Sequence, residues 1–269
     1  MDMDMDMDIE KALKHNFTHM TEEYREFAIA KSQCKLCSVY NAYKTVTQSE
    51  GNAKNPTFML IGECPGELES EQGRPFVGKA GQKLRDELRK HSSIFNKNTT
   101  IVTNTLPCRP PKNSFPSRTN GPHFIVDAGL IPSMLPTRDG TLISTCVRRW
   151  LMQEIMILKP KIIITLGAKA LEYVRGETGI TDCRGKWKQL TLVHVKEDGC
   201  QQRYKVWSMA TFHPSYVLRC QNDEERLDIV QDFVDDIEKA ATTSSLLASS
   251  VMQETPCSIF PILKQVSHG

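Results

Sequence analysis

The run Phe58-Met-Leu-Ile61, opened by Thr57, is followed at once by Gly62-Glu-Cys-Pro-Gly66 and then by Gly73-Arg-Pro-Phe-Val-Gly-Lys-Ala-Gly81. A short apolar run bounded by glycine and proline predicts a buried strand, and the pattern from Lys79 to His91 predicts a helix. Strand, glycine-rich loop and helix in that order leave little choice but a βα unit. The theme recurs. Thr99-Thr-Ile-Val-Thr-Asn104 reads as a second buried strand, and Lys161-Ile-Ile-Ile-Thr-Leu-Gly167 as a third that turns through glycine into a helix at Ala168 to Val174. Successive βα units require parallel strands covered on both faces, so the expected class is α/β.

The rest of the chain hangs on that frame. Residues 1–8 alternate Met and Asp, a low-complexity acidic stretch with no functional reading of its own. Ile9 to Lys31 suits one or two amphipathic helices, and Val147, Trp150, Leu151, Ile155 and Leu158 mark a helix ending at Lys159-Pro160. Leu190 to Val195 is expected to pair with Tyr204 to Phe212 across Asp198-Gly199. Glu225 to Ala240 predicts a final amphipathic helix. Residues 113–144 lack periodicity and read as a long insertion, and 242–269 as a weakly ordered tail. One domain over 9–241 is expected, with insertion and tail as candidate contacts for other proteins. A monomer is expected.

With 34 basic and 32 acidic residues the formal charge is +2, so nucleic-acid binding cannot be argued from net charge. No segment has the length and apolarity of a membrane span or a secretory leader. Nine cysteines, an odd number, then suit a reducing, cytoplasm-like compartment and point toward metal or redox chemistry rather than disulfides.

Two constellations carry chemistry. In open α/β sheets ligands bind beyond the carboxyl ends of strands, where Glu63, Asn104 and His213 each stand, with Phe76 in the first loop. An amide matches the edge of a nucleobase, and an aromatic ring stacks on its face. An imidazole can stabilise charge on a departing base, and a carboxylate can position water or a cationic sugar. The second set is Cys34-x-x-Cys37 with Cys108 and Cys146. Four thiolates suit zinc or an iron–sulfur cluster, and spacing does not separate them.

Five blocks, in order, resemble the family 4, iron–sulfur class of uracil-DNA glycosylases. They are Cys34-x-x-Cys37; Gly62 to Gly66 with Gly73 to Gly81; Thr103-Asn-Thr-Leu-Pro-Cys-Arg-Pro-Pro111; Lys159 to Gly167; and Arg184-Gly-Lys-Trp187 with Phe212-His-Pro-Ser-Tyr-Val-Leu-Arg219. The resemblance implies a three-layer α/β/α sandwich with a central, mostly parallel four-stranded sheet. It implies a monofunctional enzyme that removes uracil from DNA. Glu63 would activate water, His213 would stabilise the leaving anion, and Gly62, Phe76 and Asn104 would bind the base, with Glu69 beside its C5. Ser215, Leu218 and Arg219, in a loop from Pro214 to Arg219, and Arg184 would contact DNA. Cys34, Cys37, Cys108 and Cys146 would hold a structural [4Fe–4S] cluster in preference to zinc. Cys64 stands where the family has a small alanine, and the segment between Cys108 and Cys146 is longer than the family's. A non-catalytic base-binding protein, or a glycosylase for another base, are the alternatives.

Overall fold

A computed structural model describes residues 11–35, 43, 45–113, 146–195, 201–220, 223–249 and 255–258. Its strands are β1 (Phe17–Met20), β2 (Glu50–Ala53), β3 (Phe58–Gly62), β4 (Thr100–Asn104), β5 (Ile162–Leu166), β6 (Lys188–Val195), β7 (Gln201–Thr211) and β8 (Thr255–Ser258). They form one sheet in the order β1-β2-β4-β3-β5-β7-β6, with β8 also paired to β7. Four of the strands read from the sequence, β4, β3, β5 and β7, are the parallel centre. The sheet is larger than four strands. β1 and β2 extend one edge, and β6 adds antiparallel to β7 at the other in the expected pairing, Leu190 opposite Val206. The turn expected at Asp198-Gly199 lies outside the described residues.

β3, β4 and β5 are buried at every position, as strands covered on both faces must be. Their alternation sorts side chains into two cores. Met59, Ile61, Ile101 and Ile163 meet α1 (Glu22–Ser32), through Tyr24, Phe27 and Ala28, and also meet Trp150, Leu151 and Ile155. Phe58, Leu60, Val102, Ile162 and Ile164 meet α3 (Lys79–Lys90), through Leu84 and Leu88, and α8 (Leu227–Ser249), through Phe233 and Ile237. The layers are therefore α/β/α. Burying each such side chain contributes about 1.5–3 kcal/mol.

Three local expectations change. Of the one or two helices expected over Ile9 to Lys31 there are two, with an unexpected strand between them: residues 11–16 are helical, β1 follows, and α1 then starts at a cap in which Thr21 Oγ1 accepts from the Tyr24 N–H at 3.2 Å. Phe17 is core in either reading, so its burial could not choose between them. The helix after Cys146 begins as a π turn, Val147–Met152, before α4 (Gln153–Leu158). Finally α8 runs to Ser249 with Ser244 buried, so the boundary expected at 242 falls inside a helix. Residues 1–8 and nearly all of the expected insertion lie outside the described residues. No described helix is long and apolar enough to cross a membrane.

Candidate active site

Parallel pairing brings the expected groups to one edge. Gly62 of β3 lies opposite Asn104 of β4, Glu63 follows directly, and β5 joins β3 to β7, which His213 follows by two residues. Bonds continue past the strand ends. The Gly62 carbonyl accepts from the Thr105 N–H at 2.9 Å and hydroxyl at 2.7 Å, and the Glu63 carbonyl accepts from the Leu106 N–H at 3.0 Å. The backbone bearing Glu63 is thus fixed to that bearing Asn104.

Two glycines show how closely these groups gather. A Cβ on Gly62 would stand 2.5 Å from Asn104 Oδ1 and 2.6 Å from Phe76 Cζ. At Gly167, whose φ is +96°, it would stand 2.6 Å from Glu63 Oε1 and 2.8 Å from His213 Cβ. One cleft therefore holds carboxylate, amide, ring and imidazole. Phe76 adopts φ 55° and its ring centroid lies 6.4 Å from that of His213. A left-handed aromatic residue costs about 1–3 kcal/mol unless its surroundings hold it. They do: Arg85 Nε donates to the Phe76 carbonyl at 3.0 Å, and Nη2 to the Pro75 carbonyl at 3.2 Å. A cavity of about 200 Å³ between α3 and the β2–β4 edge touches Phe76 but not Glu63, Asn104 or His213, and is separate from the cleft.

Glu63 Oε1 accepts from the Lys169 backbone N–H at 3.0 Å, in the first turn of α5 (Ala168–Arg175), where partial positive charge favours a carboxylate. His213 precedes α7 (Pro214–Cys220), and its Nδ1 accepts from the Ser215 N–H at 3.2 Å. The same nitrogen lies 2.7 Å from Ser215 Oγ. An accepting Nδ1 puts the ring proton on Nε2. Burial is the main cause of a lowered His213 pKa; Glu63 and Glu69 oppose it and Arg219 assists it. The ring is therefore a neutral Nε2–H donor near neutrality. Glu69 is oriented by the Gly78 N–H, 2.8 Å from Oε1. Burial, with the neighbouring Glu63 charge, pushes the Cys64 thiol up to about 12, with Arg109 opposing. Cys64 is accordingly an uncharged thiol, the inert state of a cysteine.

The residues expected at DNA divide. Leu218 and exposed Arg219 lie on α7, so Pro214 to Arg219 is a helix and not a loop: His213 caps it and Pro214 occupies a first-turn position that needs no N–H. Ser215 is oriented toward His213. Arg184 is held inside the protein by Asp232 and Asp236. The sequence reading overlooked Gly167 and the Lys169 N–H, although a glycine turn at the end of a third buried strand was the available signal.

Cys34 follows α1, Cys146 opens the π turn, and both pack against the core on the α1 face. Cys108 is buried in a loop tied to the segment beyond Cys37 by the Thr47 N–H donating to the Pro107 carbonyl at 2.7 Å, and by Arg109 over the Tyr43 ring at 4.4 Å. Cys37 lies outside the described residues, and among these no three Cys, His, Asp or Glu side chains form a metal-holding group. Cys34 and Cys146 on the α1 face, with Cys108 from the loop after β4, are three sulfur donors from separate segments and fit a thiolate-bound group in donor chemistry. Cys183 and Cys220 belong to elements packed with the opposite core.

Residues 48–237 match the sequence model of the Uracil DNA glycosylase superfamily. The chain is 33% identical over 191 residues to the type-4 uracil-DNA glycosylase of Pyrobaculum aerophilum, covering 69% of this chain and 80% of the relative. It is 31% identical over 208 residues to the type-4 uracil-DNA glycosylase of Thermotoga maritima, covering 77% and 88%. A protein of the same description from Sulfurisphaera tokodaii is 30% identical over 208 residues, covering 74% and 77%. The chain belongs to the uracil-DNA glycosylase superfamily, alongside its type-4 members.

Proposed function

We propose that this protein is a DNA-repair enzyme that hydrolyses the N-glycosidic bond of deoxyuridine in DNA and leaves an abasic site. The observation that carries the reading is the gathering of Glu63, Asn104, Phe76 and a neutral His213 around Gly62 and Gly167. A base turned out of the helix stacks on Phe76, and the Asn104 amide offers donor and acceptor to its edge. As the bond to the sugar lengthens, negative charge grows on the base, and His213 Nε2–H donates to it. Glu63, anchored through one oxygen, stabilises the cationic sugar and orients the water that adds to it. Donors already aligned in a protected cleft contribute most to such a reaction. Glu69 is the group assigned beside C5 of the base. Leu218 and Arg219 are assigned to the DNA duplex. No lysine nucleophile is invoked, so strand cleavage is not expected.

Cys34, Cys37, Cys108 and Cys146 are the residues proposed to hold a [4Fe–4S] cluster. When bound, that group supplies structural cross-linking of three chain segments and takes no part in hydrolysis. Iron and sulfide content of anaerobically purified protein, before and after Cys108→Ser, tests it independently of activity. The enzymatic reading is tested with oligonucleotides containing uracil, hypoxanthine or thymine, followed by alkali to reveal abasic sites. Uracil-specific cleavage is expected. Binding without abasic sites would instead identify a base-recognition protein, and preferential hypoxanthine release would reassign the substrate.

A further inference from the structure

The three residues leading to His213 are gripped by a partly buried ion pair outside the cleft. Arg184 faces Asp236 with two bonds, Nε to Oδ2 at 2.9 Å and Nη2 to Oδ1 at 2.8 Å, and also donates to the Asp232 carbonyl at 2.7 Å. Asp236 Oδ2 accepts from Thr211 Oγ1 at 2.7 Å, with Thr211 fully buried. The Gly185 N–H donates to the Ala210 carbonyl at 2.9 Å, and the Arg184 guanidinium lies over the Phe212 ring at 5.7 Å. Ala210, Thr211 and Phe212 are thus each held by the Arg184–Asp236 pair or the residue beside it. On its other side the Thr211 carbonyl accepts from the Gly167 N–H at 2.9 Å, at the glycine that stands against both Glu63 and His213.

We propose that Arg184, Asp236 and Thr211 are positioning residues that set the imidazole of His213 against the departing base. The inference rests on the uracil-excision reading for its kinetic part and redirects Arg184 from the DNA backbone to the strand that carries the histidine. Paired carboxylate and guanidinium fix direction as well as distance, because two parallel bonds resist rotation. Displacing His213 by a fraction of an ångström weakens its bond to the base only as charge develops, so the chemical step suffers more than DNA binding.

The test uses the full-length protein with Asp236→Asn and Thr211→Val, the second keeping shape while removing one hydroxyl. Single-turnover excision at saturating uracil-DNA is expected to fall by about 10-fold to 100-fold in Asp236→Asn, and less in Thr211→Val, with the Kd for DNA unchanged. Nitrogen NMR of the His213 ring reads its tautomer without any turnover, and the Nε2–H pattern of the parent should be perturbed in both variants. Should Asp236→Asn not fold, Thr211→Val decides alone. Parent excision rates and an unaltered His213 spectrum in a folded variant would overturn the proposal. So would an Arg184→Met protein with weakened, less salt-dependent DNA binding but an unchanged rate, since that places Arg184 on phosphate. A parent protein that excises no uracil defeats the enzymatic reading alone, while the NMR arm still judges the positioning.

Discussion

Two ion pairs, one buried and one partly buried, lie on opposite faces of the sheet. On the α1 face Lys31 Nζ meets Glu154 Oε2 at 3.1 Å, the side chains 3% and 1% exposed. Glu154 also accepts from Tyr24 at 2.5 Å, from Thr103 at 3.3 Å and from Ser49. On the other face Arg184 and Asp236 are 18% and 3% exposed. The chemistry is alike and the destinations differ. Lys31–Glu154 joins α1, which leads to Cys34, to the helix following Cys146 and, through Thr103, to β4, which leads to Cys108. Arg184–Asp236 joins a loop and α8 to the strand end bearing His213. A buried pair is weak evidence of stability gained, since desolvation offsets attraction, but removing one partner strands the other. What each pair holds in place therefore matters more than its net energy.

The largest effect expected is on stability at the first pair. Glu154→Ala leaves Lys31 charged and buried, and denaturant unfolding should show a loss of about 3–5 kcal/mol. The folded fraction should still excise uracil near the parent rate; a selective collapse of chemistry would erase the contrast between the faces. Next comes the cleft: Glu63→Ala or His213→Ala should each lower the single-turnover rate by roughly 10²-fold or more with little change in stability. Unchanged excision in both would remove the site from this edge of the sheet.

Asn104→Asp should lower uracil excision and move preference toward cytosine, which offers a donor where uracil has an acceptor. Parallel assays on the two bases check this, and undiminished uracil excision would deny Asn104 its edge-reading role.

A further test concerns pH. The His213 pKa is lowered from 6.5, so the unfolded chain takes up this proton first as pH falls. The neutral ring's contribution to stability is complete above 6.5 and is lost progressively below it, until the lower folded pKa is reached. Denaturation curves across that window should flatten in His213→Gln. Least affected is Cys64→Ala, which should keep its rate; in the parent, the half-buried thiol, its pKa pushed up to about 12, should resist alkylation near neutral pH.

Much of this was legible because parallel strands declare themselves as apolar runs and place whatever follows them at one edge. Glu63, Asn104 and His213 were readable for that reason. Glu50–Ala53 was not readable as a strand, since Glu-Gly-Asn-Ala has low strand propensity and pairs only because β4 offers a vacant edge. Helix α2 (Glu67–Gln72) hid inside a stretch dominated by glycine and proline. The resemblance implies that Arg184 contacts DNA, and its pairing with Asp236, 52 positions away, was not legible in the sequence. Cysteine identity suggested four ligands, and the structure bears on three of them.

His213 caps α7 with the same nitrogen that dictates its tautomer, so one hydrogen bond joins two events usually considered apart. A nascent chain in which α7 has not yet wound lacks the Ser215 N–H in place, and with it the constraint that keeps the ring proton on Nε2. Leu218 and Arg219 lie on that same helix, so the segment assigned to DNA and the donor assigned to the base mature together.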